Sequence, residues 1–413
     1  MKGISIAIPK DVEHIIYVLE KNGHEAFAVG GCVRDAIMGR VPHDWDITTS
    51  AKPEEVKALF KRTIDTGIQH GTVTVLENHI GYEVTTYRID GTYSDGRHPE
   101  KVTFTSNLVE DLKRRDFTIN AMAYNHRVGI VDAFGGIDDL QQGIIRCVGI
   151  ATERFTEDAL RILRAIRFSA QLDFSIEADT ATAITALAAN LTKISRERIQ
   201  TELDKLLTSD HPDRITLVNT YGLGQYIFEG SSMLSTADDA GYQQISHVMT
   251  SLPADHYLRF DALLMYEEQP KHVLKKLKFD NNTIDICGRL CAIKSVALPT
   301  DKPSLRRAIV KYGRDIFDDY AFIFLETLQA AGSYQLLSSD ELSYARQLYN
   351  EIISDGDCIS IKDMAINGSD LIALGVPQGK ALGHILNTLF EQVLDDPTIN
   401  DRETLLALVS PVA

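Results

Sequence analysis

The chain has 413 residues, of which 44% are hydrophobic and 24% are charged, a composition typical of folded globular proteins. This length exceeds what one hydrophobic core serves, so two to four domains are expected. No apolar run reaches the roughly 20 residues that span a bilayer, and the early charges of MKGISIAIPKDVEHI argue against a signal peptide. These features predict no membrane partner. Five scattered cysteines argue against a disulfide framework and favour a reducing cytoplasm.

The formal net charge of −16 argues against tight, salt-sensitive and non-specific binding of nucleic acid. The acidity is uneven, because residues 209–413 carry 28 acidic residues against 17 basic ones, which is 11 of the 16 excess negative charges. A local basic surface therefore remains compatible with the earlier part of the chain.

The predicted elements change character near residue 150. Residues 1–25 have the pattern of an amphipathic helix that ends at Gly23. Alternating segments then predict strands at 71–77, 82–90, 102–105 and 128–132. From about residue 151 helical patterns dominate, at 156–171, 177–190, 195–208 and beyond. The predicted fold is therefore α+β, with a mixed unit over residues 1–150 followed by an all-helical part.

The segment GGCVRDAIMGRVPHDWD, residues 30–46, is the strongest functional signal. Strand residues two apart point to one face, so Asp44 and Asp46 would share a face while Trp45 turns into the core. Two adjacent carboxylates repel each other, and a divalent cation is the usual counter-charge. Gly30 and Gly31 let backbone N–H groups approach a phosphate at a helix start. Taken alone, either feature is more often a turn or a solvated loop; together they predict a two-metal nucleotidyl-transfer centre.

The order of strand, Gly-Gly, helix with Arg34-Asp35 and Asp-x-Asp resembles the head of polymerase-β-type nucleotidyltransferases. More narrowly, it is similar to class II tRNA nucleotidyltransferases, the CCA-adding enzymes of Gram-positive bacterial type, and to bacterial poly(A) polymerases. The resemblance implies a polymerase-β-like catalytic head at 1–150, a helical neck at 151–208, and a body and tail at 209–413. It also implies Mg²⁺ as cofactor, CTP and ATP as substrates, and the tRNA acceptor arm as partner; a homodimer stays open.

The same resemblance implies roles for residues of the first motif. Asp44 and Asp46 would bind metal ions, and Gly30, Gly31 and Arg34 would hold the triphosphate. Glu83, in the segment YEVTTYRID, corresponds to an acid that completes a catalytic carboxylate triad. The alternative for Glu83 is an ordinary exposed strand residue.

Two further segments match motifs of the head. Residues 90–99, DGTYSDGRHP, are rich in turn formers and resemble the flexible loop implied to help the family switch from adding C to adding A. A plain connection between strands is the alternative. In KRRDFTINAM, residues 113–122, the resemblance makes Arg115 a nucleotide contact, while Asp116 would orient the arginines. A charge run such as this is otherwise a solvated face.

The segment FTEDALRILRAIRF, residues 155–168, matches the motif that selects the nucleotide. Thr156 is the predicted N-cap of one continuous helix. Arg161 follows Asp158 by three residues, a spacing that predicts an ion pair. Such a pair could read the Watson–Crick edge of a base, and in the resembling family it replaces a nucleic-acid template. Arg164 and Arg167 would support this pair or contact phosphate. Acids that favour a helix start offer a purely structural alternative.

The remaining signals are weaker. SRERIQTELDKLL, residues 195–207, matches a fifth motif, which is predicted to buttress the neighbouring helix. The resemblance thus covers residues 25–208. Further along, the lysines at 271, 275, 276 and 278 and the segment GVPQGKALG, residues 375–383, could contact RNA phosphates, or be solvated surface.

The motifs together predict an enzyme that adds C, C and A to tRNA 3′ ends. A poly(A) polymerase shares the head motifs, but the acidic C-terminal region argues against it. A CC-adding or A-adding enzyme is a second alternative, and the turn-rich segment at 90–99 argues against the CC-adding form. An inactive RNA- or nucleotide-binding protein is the alternative from a different class, and the intact carboxylates argue against it.

Overall fold

The computed structural model describes residues 6–91, 102–231, 233–236 and 238–409. The chain divides into two compact units. The first contains Met1–Tyr242 with Lys276–Lys278, and the second contains Gln243–Lys275 with Phe279–Ala413. Within the described ranges, no helix has both the length and the apolar character needed to cross a membrane.

The first unit contains all strands of the described part: β1 (Ala26–Val29), β2 (Ile47–Thr49), β3 (Thr63–Gly67), β4 (Thr72–Glu77), β5 (Ile80–Thr86), β6 (Arg88–Asp90), β7 (Val102–Phe104), β8 (Met122–Asn125), β9 (Gly129–Asp132), β10 (Ile144–Ile145) and β11 (Ser175–Ile176). Its helices are α1 (Lys10–Lys21), α2 (Gly31–Ile37), α3 (Pro53–Leu59), α4 (Leu108–Lys113), α5 (Gly136–Gln142), α6 (Ala151–Glu157), α7 (Leu160–Leu172), α8 (Ala178–Leu187), α9 (Arg196–Leu207), α10 (Thr216–Thr220) and α11 (Gly224–Ile227). Short 3₁₀ turns include Thr118–Asn120.

A seven-stranded mixed sheet organises the head, with strand order β3-β4-β5-β2-β1-β8-β9. Strands β2 and β5 run parallel, and the other neighbours run antiparallel. Alternation along the strands sends Ile47 and Val84 into a core that α1 and α2 help to enclose. The predicted strand at 82–90 is divided at Tyr87 into β5 and β6, and the N–H of Tyr87 donates to Thr49 O of β2.

The predicted single helix at 156–171 is wrong at its start. Helix α6 ends at Glu157, and Asp158 is extended, with φ −143° and ψ 103°. The Asp158 carboxylate accepts a bond from the N–H of Leu160 at 3.0 Å and so helps to cap the first turn of α7. Thr156, the predicted cap, lies inside α6 instead. The break places Asp158 outside both helices.

Among the described residues of the second unit, the regular elements are all helices. Helix α12 (Asp239–Ser251) crosses the boundary between the units, and the others are α13 (His256–Leu263), α14 (Pro270–Lys276), α15 (Asn281–Ile293), α16 (Lys302–Tyr312), α17 (Arg314–Asp319), α18 (Ala321–Ala330), α19 (Ser339–Ser354), α20 (Gly368–Ala373), α21 (Lys380–Asp395) and α22 (Arg402–Ala407). Arg306 joins α16 to its neighbours, since Nε pairs with Asp357 at 2.7 Å and Nη1 donates to Leu394 O at 2.8 Å. The helical prediction for this region is confirmed.

Candidate active site

Three carboxylates meet where β2 and β5 run side by side. Ile47 lies opposite Val84 in the parallel register, and both side chains are in the core. Asp46 directly precedes Ile47, and Glu83 directly precedes Val84. Because successive side chains alternate, Asp46 and Glu83 face the opposite side of the sheet. Trp45 is buried, as predicted, while Asp44 and Asp46 on either side of it both line one cleft.

The pKa values of Asp46 and Glu83 are shifted by their surroundings. Partial burial, opposed by Arg115 and reinforced by Asp44, raises the pKa of Asp46. Partial burial together with the charges of Asp46 and Asp44 raises the pKa of Glu83. Across the described ranges, no hydrogen bond or ion pair engages any of the three carboxylates. Arg115 supplies a positive charge that acts on Asp46.

A cleft of about 710 Å³ opens beside these carboxylates, lined by Asp44, Asp46 and Glu83 together with Val41, His43 and Tyr82. Hard oxygen donors such as carboxylates are the ligands that divalent cations prefer, so the chemistry of Asp44 and Asp46 fits such an ion. Among the described residues, no three His, Cys, Asp or Glu side chains are gathered tightly enough to form one metal-ligand group. Glu83 lies beside the aspartate pair and lines the same cleft.

The glycine turn before α2 brings Arg115 to the same place. Gly30 has φ +85°, a conformation that L side chains rarely adopt. A Cβ on Gly30 would lie 2.9 Å from Nη1 of Arg115, so the guanidinium lies directly over the turn. Asp111, whose Oδ2 lies 3.7 Å from Nη2, holds Arg115 from behind. The structure thus places Gly30, Arg115 and Asp46 together, and a guanidinium beside such a turn suits a phosphate.

Arg34 lies beneath this turn and is buried. Its Nε donates to Asp35 at 2.9 Å and its Nη1 donates to Asn120 at 2.7 Å. The distance from Nη2 to the position of a Cβ on Gly31 is 3.6 Å. Arg34 is therefore adjacent to the glycine turn, with its direction fixed by two partners.

The predicted ion pair between Asp158 and Arg161 is wrong. Asp158 instead accepts two bonds from Arg198 of α9, at 2.7 and 3.3 Å. Arg161 pairs with Glu157 at 2.8 Å and donates to Arg114 O at 2.9 Å. The physical reason is the break at Asp158, which removes that residue from the helical spacing that a pair with Arg161 requires. The expected buttressing role of the 195–207 segment is confirmed by Arg198.

The sequence predicts that Asp116 orients the arginines that precede it in its own segment, and in the structure it pairs with Arg164 of α7. Nε and Nη2 of Arg164 donate to Oδ2 of Asp116 at 2.8 and 2.5 Å, and Asn120 donates to Oδ1. Burial by itself would raise the pKa of Asp116, but the guanidiniums of Arg164 and Arg161 hold it well below its usual range. Asp116 is therefore an ionised anchor for the arginines of α7.

Arg167 is buried and faces α9. Its Nε lies 2.6 Å from Oε2 of Glu202, in an orientation that is not a directed hydrogen bond. Burial lowers the pKa of Arg167 to about 10, and Glu202 opposes that shift. Sequence reasoning missed both Glu202 and Asn120, whose only signal is a polar residue within an otherwise apolar face.

The turn-rich segment at 90–99 lies mostly outside the described residues. Asp90, at its start, pairs with Arg88 at 3.1 Å and lies 3.8 Å from Nη1 of Arg114. The predicted role of this segment as a moving loop therefore stays a prediction.

Three family models match the chain in order. Residues 26–146 match the poly(A) polymerase head domain, and residues 173–234 match a probable RNA and SrmB-binding site of polymerase A. Residues 257–409 match a putative domain 2 of tRNA nucleotidyltransferases. With the carboxylates and the glycine turn, these matches define the protein as a nucleotidyltransferase, a class of enzymes that uses divalent metal ions.

Relatives that match nearly the whole chain identify the family within this class. The CCA-adding enzyme of Leuconostoc mesenteroides is 38% identical, with 96% of this chain and 94% of the relative covered. That of Lactiplantibacillus plantarum is 39% identical, with 97% and 95% covered. The crystal structure of the Bacillus stearothermophilus CCA-adding enzyme in complex with CTP superimposes with a TM-score of 0.76 at 32% identity, over 95% of this chain and 94% of that one. The chain belongs to the family of CCA-adding enzymes, and the predicted family and α+β fold class are confirmed.

Proposed function

We propose that this protein adds C, C and A to tRNA 3′ ends from CTP and ATP, without a nucleic-acid template, and releases pyrophosphate. The observation that carries the proposal is the meeting of Asp44, Asp46 and Arg115 at the glycine turn, within a chain related over its full length to CCA-adding enzymes. Because tRNA is the substrate and all five cysteines are free and buried thiols, the proposed site of action is the cytoplasm.

Asp44 and Asp46 are the proposed Mg²⁺ ligands, since their carboxylates line one cleft and are free of hydrogen bonds and ion pairs among the described residues. Bound Mg²⁺ supplies Lewis-acid chemistry, which favours ionisation of the tRNA 3′-hydroxyl and stabilises the leaving pyrophosphate. Glu83 adds negative charge beside the pair and assists in the proposed mechanism.

The triphosphate is proposed to lie on the glycine turn. Gly30 and Gly31 let the backbone approach the phosphates, and Arg115 pairs with their charge from above the turn. Arg34 completes this cradle from below, where Asp35 and Asn120 fix its direction. Fixed cations avoid the reorganisation that flexible side chains would need when charge develops.

Asp158 and Arg161 are the proposed base-reading groups. They lie on either side of the break that separates α6 from α7, and each is held by a different partner. Their acceptors and donors are thereby presented at set positions, as recognition of a base edge requires. Arg164 and Arg167 are proposed to support this arrangement through Asp116 and Glu202.

Each of the three predicted regions has its own proposed role. Residues 1–150 form the catalytic head, and residues 151–208 form the neck that selects the nucleotide. The helical residues 209–413 would clamp the tRNA acceptor arm. The first of these proposals depends on the carboxylate site, while the third depends on the full-length relationship to CCA-adding enzymes.

The decisive experiment incubates the protein with tRNA that lacks CCA, with each labelled nucleotide and with Mg²⁺, and then sequences the product ends. We expect products that end in C, CC and CCA, and none that extend further. Long adenosine tracts would identify a poly(A) polymerase, and products that stop at CC or gain only A would identify a partial enzyme. Binding of CTP without incorporation would identify an inactive binding protein.

A further inference from the structure

Three guanidiniums gather around the ring of Phe168. The distances from their central carbons to the ring centroid are 4.0 Å for Arg167, 5.1 Å for Arg34 and 5.3 Å for Arg164. The ring is buried, with 5% of the residue exposed, and makes an edge-to-face contact with Phe117 at 5.8 Å. Contacts of this length lie within the range of cation–π attraction.

The three arginines come from two separate parts of the site. Arg34 is on α2, the helix that the glycine turn begins. Arg164 and Arg167 are on α7, the helix that follows Asp158. Phe168 belongs to α7 as well, so its contact with Arg34 joins this helix to the helix that the glycine turn begins.

Three cations at one ring repel each other, and the structure compensates for this in two ways. Each guanidinium has a carboxylate of its own, on Asp35, Asp116 or Glu202. The face of the aromatic ring provides further negative potential, which no aliphatic side chain of similar volume supplies. Leucine at position 168 could therefore fill the space but could not hold the arginines.

A hydrogen-bond chain runs parallel to the aromatic contact. Arg34 donates to Asn120 at 2.7 Å, Asn120 donates to Asp116 at 3.1 Å, and Asp116 accepts from Arg164. Two independent connections thus join Arg34 to Arg164. This redundancy predicts that loss of the ring alone loosens the junction without unfolding it.

We propose that Phe168 is a positioning residue that couples the Arg34 side of the triphosphate cradle to the base-selecting helix α7. The proposal rests on the proposed function. A nucleotide that is read correctly at Asp158 and Arg161 then places its phosphates correctly beside Asp44 and Asp46. Without the coupling, recognition of the base no longer positions the phosphates for transfer. Both the rate of nucleotide addition and the selectivity between nucleotides are then lower.

The test compares Phe168→Leu, which keeps apolar volume, with Phe168→Tyr, which keeps the ring. The matched control is Phe174→Leu, another buried phenylalanine of the same unit, whose ring contacts the turn at Gly143. In the described part of the chain, no guanidinium lies over the Phe174 ring. For each folded variant, kcat and KM are measured for CTP, ATP and tRNA, together with the CTP:UTP ratio of kcat/KM and the Tm.

Phe168→Leu is expected to lower kcat for CTP and ATP by about tenfold, a loss on the order of one desolvated cation–π contact. The CTP:UTP ratio should fall, the KM for tRNA should not change, and Phe168→Tyr should restore kcat. The control should lower only the Tm. If Phe168→Leu does not fold, Phe168→Met takes its place.

Wild-type kcat and selectivity in Phe168→Leu would overturn the coupling, as would equal losses in the leucine and tyrosine variants. A fall in kcat as large in Phe174→Leu would also overturn it, because the effect would then be general packing. A wild-type protein that adds no nucleotide contradicts the proposed function instead, so the two failures are distinguishable.

Discussion

Asp158 is paired with Arg198, forty residues further along the chain, and not with Arg161, three residues away in the first turn of α7. The pair joins the break before α7 to helix α9. A bidentate guanidinium fixes the plane of a carboxylate as well as its position. Arg198 therefore sets the direction in which Asp158 presents its acceptors.

Arg198→Ala should reduce the discrimination between CTP and UTP because Asp158 loses its orienting partner. The expected loss is about 1–3 kcal/mol of selectivity, the worth of one good bidentate base contact. The measurement is kcat/KM for each nucleotide in competition. Arg196→Ala is the matched control, since Arg196 lies on the same helix but pairs with Glu229. Equal effects of the two changes would remove Arg198 from nucleotide selection.

Arg161→Ala should damage base selection more than catalysis. Its guanidinium is the proposed reader, while the carboxylates and the glycine turn remain in place. UTP and GTP should gain relative to CTP by a factor consistent with about 1–3 kcal/mol. An unchanged CTP:UTP ratio of kcat/KM would leave Arg161 with only its structural bonds to Glu157 and the Arg114 carbonyl.

Asp46→Ala should abolish the incorporation of both C and A. Removing one of two proposed metal ligands forfeits several kcal/mol of transition-state stabilisation in every transfer. Incorporation of each labelled nucleotide is the measurement, with folding verified by circular dichroism. Asp65→Asn is the control, because this exposed aspartate pairs with Lys57 away from the cleft. A folded Asp46→Ala protein of near-normal rate with Mg²⁺ would contradict the assignment.

Gly30→Ala should raise the KM for CTP and ATP, because its methyl group would meet Nη1 of Arg115 at 2.9 Å. The unfavourable φ should also destabilise the fold by about 1–3 kcal/mol. Gly39→Ala is the matched control, since Gly39 has φ +72° but its added Cβ would meet nothing within 4 Å. Kinetics and urea unfolding of both variants separate the two effects. Equal KM values in the two proteins would show that Arg115 does not contact the triphosphate.

Asp116→Asn should flatten the dependence of stability on acidic pH. The pKa of Asp116 is lowered in the folded protein by Arg164 and Arg161, against the effect of burial. A depressed carboxyl pKa contributes stability that is present above the unfolded-state pKa, near 3.9, and is lost as pH falls toward the folded-state value. We expect the variant to be less stable at pH 7, with the difference shrinking below about pH 4. Parallel curves of the free energy of unfolding against pH would contradict the ionised anchor.

The local sequence was sufficient to predict the carboxylate pair, the glycine turn and the order of the motifs. The spacing of Asp44 and Asp46 around an apolar Trp45 predicted that the two carboxylates lie together and that Trp45 is in the core. The structure agrees, although all three residues precede β2. The α+β head and the helical remainder followed from the periodicity of apolar residues. The family could be recognised from the sequence because five such local motifs occur in a fixed order.

Only the tertiary structure decided which charged groups are partners. The spacing of Asp158 and Arg161 would allow an ion pair between them. Because the chain breaks before α7 and α9 packs nearby, Asp158 pairs with Arg198 instead. The gathering of Arg34, Arg164 and Arg167 on Phe168 likewise depends on α2 meeting α7. Periodicity fixes the face on which a side chain lies, but the partner of a long, flexible guanidinium depends on which elements pack together, and packing is a property of the whole fold.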